Sequence, residues 1–288
     1  MITVRIKGGL GNQLFQYATG YALSKELGQE LNFNLAFTAN MTVRGYKLAD
    51  LKIDMSKTIC DSELSPKVIL LKNYYVNKLL RVLRVGRHRY KEGVYFLETE
   101  QVYYPELFQL IEQNIYLDGY FQTEKYFRKY REELLKQITP RYEPEKEYIH
   151  VLEKIRNCNA VAVHVRRSDF KNDHNKYHYL LDNEYFQKGI AHIRRYEKSP
   201  FFFWFSDEPE WVKSNIEMSN DMCFVNIKTE HSDIDDMMLM KHCNHIIAAN
   251  STFSWWAAWL NEHENAIRIV PKKPFGNKYM IPDSWIKI

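Results

Sequence analysis

The chain has 288 residues, 40 of them Lys or Arg and 36 Asp or Glu, so its formal net charge is +4; 45% are hydrophobic and 15% aromatic. This is the composition of a globular protein with enough chain for one large or two medium domains, and 11 Gly with 9 Pro exclude collagen-like and linker-like classes. No apolar run approaches the ~20 residues that span a bilayer, and the start MITVRIKGG lacks the basic and then apolar pattern of a signal peptide.

In chain order, the first predicted element is a strand, Ile2-Thr3-Val4-Arg5-Ile6. Gly8, Gly9 and Gly11 follow as a glycine loop. A helix then carries Leu14, Tyr17, Ala18, Tyr21, Ala22 and Leu27 at three- and four-residue spacing, with Gly28 as its stop. Strand, glycine loop and helix open an α/β unit. The middle, about residues 41 to 148, is irregular and rich in Tyr and Lys, and only a helix over 127–138, ahead of Pro140, stands out.

Within that middle, Lys72 to Lys91 holds seven basic residues and no acid, interleaved with Leu79, Leu80, Val82, Leu83 and Val85. On a helix this pattern is basic and amphipathic. It suits peripheral contact with an anionic membrane surface, or a solvated helix whose apolar stripe packs on the core, and the second reading is preferred. The rest of the chain is then mildly acidic.

The second half is clearer. Strands are predicted at Val161–Val165, Phe201–Phe205, Cys223–Ile227, His245–Ala249 and Ile267–Val270, with helices at Glu184–Tyr196, Pro209–Ile216, Asp235–Cys243 and Phe253–Leu260 between them. Strands that are apolar throughout and alternate with helices imply a parallel sheet covered on both faces, and such sheets bind ligands at the carboxyl ends of their strands. The expected division is an N-terminal domain over 1–150 and a C-terminal, Rossmann-like domain over 151–288.

The residues after those strands are therefore the candidate site. Arg166 and Arg167 follow the first, as planar, permanently charged forks suited to a phosphate or pyrophosphate. Ser206, Asp207 and Glu208 follow the second, as acceptors for hydroxyl or ring N–H groups. Asn250, Ser251 and Thr252 open the helix after the fourth, where hydroxyls and free N–H groups favour an anion. Each has a plainer reading: an ion pair of the arginines with Asp169, helix caps at Ser206-Asp207 and at Asn250–Thr252, and a capping box of Ser232 with Asp235. Together with His231-Ser232-Asp233-Ile234-Asp235-Asp236 after the third strand, they provide two anion sites and two neutral polar sites on one sheet edge, the needs of a nucleoside diphosphate.

No metal is expected. Asp233-x-Asp235 is short and explained by capping, and the ten histidines show no ligand spacing. His164, inside an apolar strand, reads as a satisfied core residue, and Trp255, Trp256 and Trp259 as core. Cys60, Cys158, Cys223 and Cys243 form no CxxC pair and read as reduced thiols of a cytoplasmic protein. The basic residues lie in one stretch without a nucleic-acid-binding motif, so no nucleic-acid partner is expected.

Four blocks, KGGLGNQLFQYA from Lys7, VAVHVRRSDF from Val161, the tract from Asp236 through ANSTFSWWAAW, and the looser FWFSDEPEWVK from Phe203, resemble the bacterial galactoside α-1,2-fucosyltransferases. The resemblance spans nearly the whole chain. It implies a GT-B fold of two Rossmann-like domains facing across a cleft, and inverting, metal-independent transfer of fucose from GDP-fucose to the 2-hydroxyl of a terminal galactoside in surface polysaccharide synthesis. It also implies that Arg166 binds the β-phosphate, that His164 supports the donor site, and that Asp236 lies at the guanine. Ser251 and Thr252 would hold the phosphates. Asn12, with Gly9 and Gly11 in the glycine loop, would reach the donor, and Asp207 is structural or near the nucleotide. The catalytic base is not carried over. Asp169, Asp173 and His174 are its candidates. Other GDP-sugar donors or acceptors, or a non-catalytic glycan-binding module, are the alternatives.

Overall fold

The computed structural model describes residues 1–37, 45–168, 179–273 and 275–288. The chain divides into two compact units, Met1–Arg141 with Gly276–Ile281, and Tyr142–Phe275 with Pro282–Ile288.

The first unit opens with β1 (Ile2–Arg5) and α1 (Leu10–Leu27). Gly28 closes α1 in the left-handed region at φ 63° and returns its N–H to the Ser24 carbonyl, a stop that glycine makes without a Cβ clash. The expected glycine loop is shorter than its three glycines suggest. Gly8 has φ 79°, Gly9 is the residue before the helix, and Gly11 and Asn12 already belong to the first turn of α1.

The irregular middle resolves into β2 (Leu31–Asn34), α2 (Pro66–Lys72), α3 (Tyr74–Val82), β3 (Arg87–Tyr90), β4 (Gly93–Leu97), β5 (Asn114–Asp118) and α4 (Arg131–Gln137). The helix expected over 127–138 begins instead with short 3-10 turns and becomes α-helical only at Arg131. The sheet order is β2-β1-β5-β4-β3, with β3 antiparallel to β4 and the other pairs parallel. From β1 the chain passes to β2 at one edge, then crosses to β3 at the other edge and returns inward through β4 to β5, so the carboxyl ends of β1 and β5 lie side by side.

Tyr17, Tyr95, Tyr116 and Tyr126 are buried here with their hydroxyls partnered, as burial of a phenol demands. Tyr95 and Tyr116 stack at 5.3 Å, and donate to Asp118 and Asn34 respectively.

The second unit contains α5 (Lys146–Arg156), β6 (Asn159–Val165), α6 (Asn183–Tyr196), β7 (Pro200–Ser206), α7 (Pro209–Asn215), β8 (Met222–Phe224), α8 (Ser232–His242), β9 (His245–Ile247), α9 (Thr252–Leu260), β10 (Arg268–Val270) and β11 (Ile286–Lys287). All six strands are parallel, in the order β11-β10-β9-β6-β7-β8. Counted from β6 this is the doubly wound order of a Rossmann half, reversing between β6 and β9. Val161, Val163, Phe202, Trp204 and Ile247 form its core with Phe186 and Ile190 of α6, so strands buried on both faces carry no polar alternation. Trp255 and Trp256 are fully buried, as expected. The four cysteines are unbridged. Among the described residues no helix is long and apolar enough to cross a membrane.

Candidate functional site

In the second unit the switch point brings together the segments after β6, β7 and β9. Val165 and Ser206 are register partners, so the two strands end side by side and Asp207 meets the turn leaving β6. Its carboxylate accepts the backbone N–H groups of Arg167 (3.0 Å) and Ser168 (3.2 Å) and the Ser168 hydroxyl (2.5 Å), and pairs with the Arg166 guanidinium at 3.1 Å. Asp207 is thus a positioning residue and not the helix cap that its sequence position suggested. Glu208 precedes α7, and no side chain caps that helix.

The two arginines have separate jobs. The Arg167 guanidinium lies 4.2 Å over the Trp211 ring, donates to the Leu181 carbonyl (3.3 Å), and has Glu208 at 3.6 Å. It is committed to holding the turn. Arg166 keeps 26% of its side chain exposed at the strand end. One positioned, partly solvated guanidinium at a switch point can receive a phosphate bidentately.

His164 points inward and is nearly fully buried, its ring 5.4 Å from Phe253. Burial, reinforced by Arg166 and opposed by Asp207, pushes its pKa down to about 4, so the ring is neutral near pH 7. Its Nδ1 has no hydrogen-bond partner among the described residues, unlike the satisfied core histidine expected.

After β9, Ser251 caps α9 by accepting the Phe253 N–H at 3.2 Å, Thr252 is the first helical residue, and Asn250 donates to the Tyr179 carbonyl at 2.7 Å. The capping role expected at Ser251 is present.

The start of α8 departs from expectation. The residue before it is His231, without a side-chain cap, and Asp235 does not close a capping box with Ser232. Its oxygens accept instead from the Tyr142 hydroxyl (2.7 Å) and the Thr229 hydroxyl (2.6 Å), while Tyr142 stacks on His231 at 4.0 Å. Burial and then the neighbouring Asp235 and Asp233 push Asp236 up to about 7, and its Oδ1 is buried without a partner among the described residues. Asp236 can therefore present either a protonated or an ionised carboxyl at neutral pH.

This shift has a measurable consequence. The native state holds the Asp236 proton up to about pH 7, whereas the unfolded chain releases it near pH 4. Between those values the native state binds more protons, so stability falls as pH rises. Asp236→Asn is expected to melt close to the parent at pH 4 and several degrees above it at pH 8. Thermal melts across that range check this, and an offset that does not change with pH contradicts it.

In the first unit the site forms around the carboxyl ends of β1 and β5. A Cβ on Gly8 would stand 2.9 Å from the Asn12 amide, so the turn fits against that side chain. Asn12 Oδ1 accepts the Gln122 amide at 2.8 Å. Gln122 follows Phe121, a non-glycine residue at φ 52°, a conformation that persists only when its surroundings impose it. Glu98 does so by accepting the Tyr120 (2.6 Å) and Phe121 (3.1 Å) N–H groups. Gln122 Oε1 and Asn277 Nδ2 are buried without partners among the described residues.

Below them Asp118 is buried and paired with Arg5 (2.6 Å) and Lys7, with Arg81 at 3.9 Å. Burial opposes its ionisation, but Lys7 and Arg5 outweigh it and hold the carboxyl well below the usual range. Lys7 is pushed down by burial, against the pull of Asp118.

Sequence reasoning missed this cluster, together with Gln122, Asn277, Tyr142, Thr229 and Trp211. DGYFQ at 118–122, a strand end followed by a glycine, was the available signal for the first-unit residues. Of the predicted residues, His164, Arg166 and Asp207 come together beside Ser251 and Thr252 at one sheet edge, Asp236 opens α8 of the same unit, and Gly9, Gly11 and Asn12 lie in the first unit. Asp169, Asp173 and His174 fall outside the described residues.

The model of glycosyl transferase family 11 matches residues 1–285. The chain belongs to glycosyl transferase family 11. Its relatives include an α-1,2-colitosyltransferase of Escherichia coli, 30% identical over 100% of this chain and 99% of that protein, and the Escherichia coli O-antigen biosynthesis glycosyltransferase WbnK, 30% identical over 98% and 99%. Galactoside α-(1,2)-fucosyltransferase 2 of Hylobates lar is 27% identical over 96% of this family 11 chain and 74% of that protein. Among solved structures, the fucosyltransferase NodZ from Bradyrhizobium superposes with a TM-score of 0.52 at 16% identity, covering 89% of this chain and 91% of that one. That likeness is of fold, and it makes the α/β architecture of this family 11 member one of GT-B type.

Proposed function

We propose that the chain transfers L-fucose from GDP-fucose to the 2-hydroxyl of a terminal galactoside, with inversion and without a metal, in cytoplasmic assembly of a surface polysaccharide. Arg166 at the switch point of a Rossmann half carries this reading, because its guanidinium, positioned by Asp207, is partly solvated at the strand end, while Arg167 packs on Trp211. Family membership and the α-1,2-transferring and O-antigen relatives support the reaction class. They disfavour a non-catalytic glycan-binding module.

In the proposed reaction the acceptor hydroxyl displaces GDP in line, and negative charge grows on the β-phosphate as the glycosidic bond breaks. Arg166 meets that charge. The Ser251 and Thr252 hydroxyls and the start of α9 offer donors to the phosphates. Neutral His164 and the near-neutral carboxyl of Asp236 offer uncharged hydrogen-bonding groups to the rest of the nucleotide. Asp169, Asp173 and His174 are the candidates to take the acceptor proton, and a pH–rate profile of each alanine variant separates them, since loss of the acidic limb tracks the base.

A second reading has a specific observation behind it. The α-1,2-colitosyltransferase matches this chain end to end, so the donor sugar could be colitose with the same linkage. Incubation with GDP-fucose, GDP-colitose or GDP-mannose and a panel of β-galactosides, followed by linkage analysis of the product, is expected to yield an α-1,2-fucosyl galactoside. GDP, but not free sugars, is expected to raise the melting temperature. Transfer from GDP-colitose alone establishes the second reading. Failure of all three donors, with no stabilisation by GDP, overturns both.

A further inference from the structure

The basic segment left over from the sequence is inverted relative to the preferred reading. α3 does not pack its apolar stripe on the core. Its inward side carries Asn77 and Arg81: Asn77 donates to the Tyr95 hydroxyl (3.0 Å) and to Asp118 (3.2 Å), and Arg81 donates to Asn77 (2.9 Å) and to the Glu98 carbonyl. Leu80 alone of its leucines joins the cluster of Val68, Leu71, Tyr95, Leu97 and Tyr116. The outward side presents Tyr75 at 78%, Leu79 at 57% and Val82 at 73% exposure, extended by Tyr74, Leu83 and, from α2, Leu70. A helix held down by polar groups while it displays its large apolar residues leaves a patch that water does not favour.

We propose that this face of α3 docks the protein on an anionic lipid surface. The charge around the patch selects that occupant. From Glu63 to Glu92 the chain contains no acidic residue between them, and it contains eight Lys or Arg. Acids facing this segment from its neighbours are few. Asp61 pairs with Lys72, Asp118 lies near Arg81, Glu100 lies 3.3 Å from Arg84, and Glu112 serves both Arg87 (2.7 Å) and Arg89 (3.2 Å). Lys78, exposed between Tyr75 and Leu79, and Lys91 have no ion-pair partner among the described residues.

The geometry suits a bilayer interface. A nine-residue helix lying flat can sink Leu79, Val82 and Leu83 among acyl chains, keep tyrosine hydroxyls at headgroup level, and extend Lys78 to lipid phosphates. Arg84 ends the helix in the left-handed region at φ 55°, where glycine is the usual residue, and so places a guanidinium beside Leu83. A second copy of the chain fits less well, because self-association through this face sets Lys78 and Arg84 against their own equivalents.

Co-sedimentation of the full chain with vesicles tests the proposal. Binding is expected to an equal mixture of phosphatidylcholine and phosphatidylglycerol, to weaken as salt is raised, and to be at least tenfold weaker on phosphatidylcholine alone. A double variant, Leu79→Glu with Val82→Glu, alters only exposed positions and is expected to melt like the parent while losing vesicle binding at least tenfold. No binding to anionic vesicles, equal binding to neutral ones, or undiminished binding of the double variant overturns the proposal. So does a parent that binds no vesicles but is a dimer, with the double variant a monomer, since a second copy would then be the occupant.

Discussion

Arg166→Ala is expected to lower the transfer rate by about 10²- to 10³-fold with the melting temperature unchanged, because one preorganised donor to developing negative charge is worth ~3 kcal/mol in the transition state. Arg166 follows β6 with its side chain partly solvated, so removing it opens no core cavity. Arg166→Lys is expected to recover little, since a point charge cannot reproduce a planar fork. The neighbouring substitution provides the contrast. Arg167→Ala removes the guanidinium from the Trp211 face and from the Leu181 carbonyl, and is expected to lower the melting temperature as well as activity. Asp207→Asn leaves the side-chain shape but weakens acceptance from two N–H groups, a hydroxyl and Arg166, so a smaller loss of rate is expected, through misplacement of Arg166. Steady-state kinetics with GDP-fucose, beside thermal melts, separate the three. Near-full turnover by Arg166→Ala removes it from the chemistry.

The contrast between the two units explains what the sequence could reveal. In the second unit every central strand is buried on both faces, so PFFFWFS and NAVAVHV announce themselves as apolar runs, and the polar residues that interrupt the pattern at 166, 207 and 250 are those at the strand ends. β11, with two residues, has no such run. In the first unit β3 reads RHRY, an edge strand whose arginines reach Glu112 across the surface, and β5 reads NIYLD, ending on the acid that anchors the cluster. Their signal is a pattern of polar partners between segments far apart in sequence, Lys7 with Asp118 or Asn12 with Gln122, which no local window contains. The same nonlocality misled the reading of α3. Its amphipathic pattern correctly marks a helix with two faces, but Asp118 and Glu98 draw the polar face inward. Asp235 followed the same course, drawn from the expected capping box to Tyr142 and Thr229.

Asp118→Asn is expected to cost about 3–5 kcal/mol of stability, the usual consequence of removing one partner from a buried ion pair. Three cations, Arg5, Lys7 and Arg81, converge on this one carboxylate, and Tyr95 and Asn77 also donate to it. Asparagine keeps an acceptor for the phenol but leaves the cations without their counter-charge. Tyr95→Phe removes only one donor, and a loss of about 1 kcal/mol is expected. The pH dependence has a definite sign. The folded carboxyl titrates below its unfolded value of 3.8, so its contribution is complete above about pH 5 and disappears as pH falls through the folded value. Denaturant melts of the parent should therefore weaken steeply below pH 4, and Asp118→Asn, already deprived of the contribution, should show a shallower acid slope. A variant with parental stability at pH 7 would mean that Arg5 and Lys7 find other anions. The same substitution reaches the turns above it. Lys7 leads into Gly8 and donates its N–H to Gln16 (2.9 Å), which in turn holds the Gly119 carbonyl (3.1 Å), so a displaced Lys7 shifts both turns that meet at Asn12 and Gln122. Transfer by whatever folded fraction remains is then expected to be slower per molecule, separating this ion cluster from one that serves stability alone.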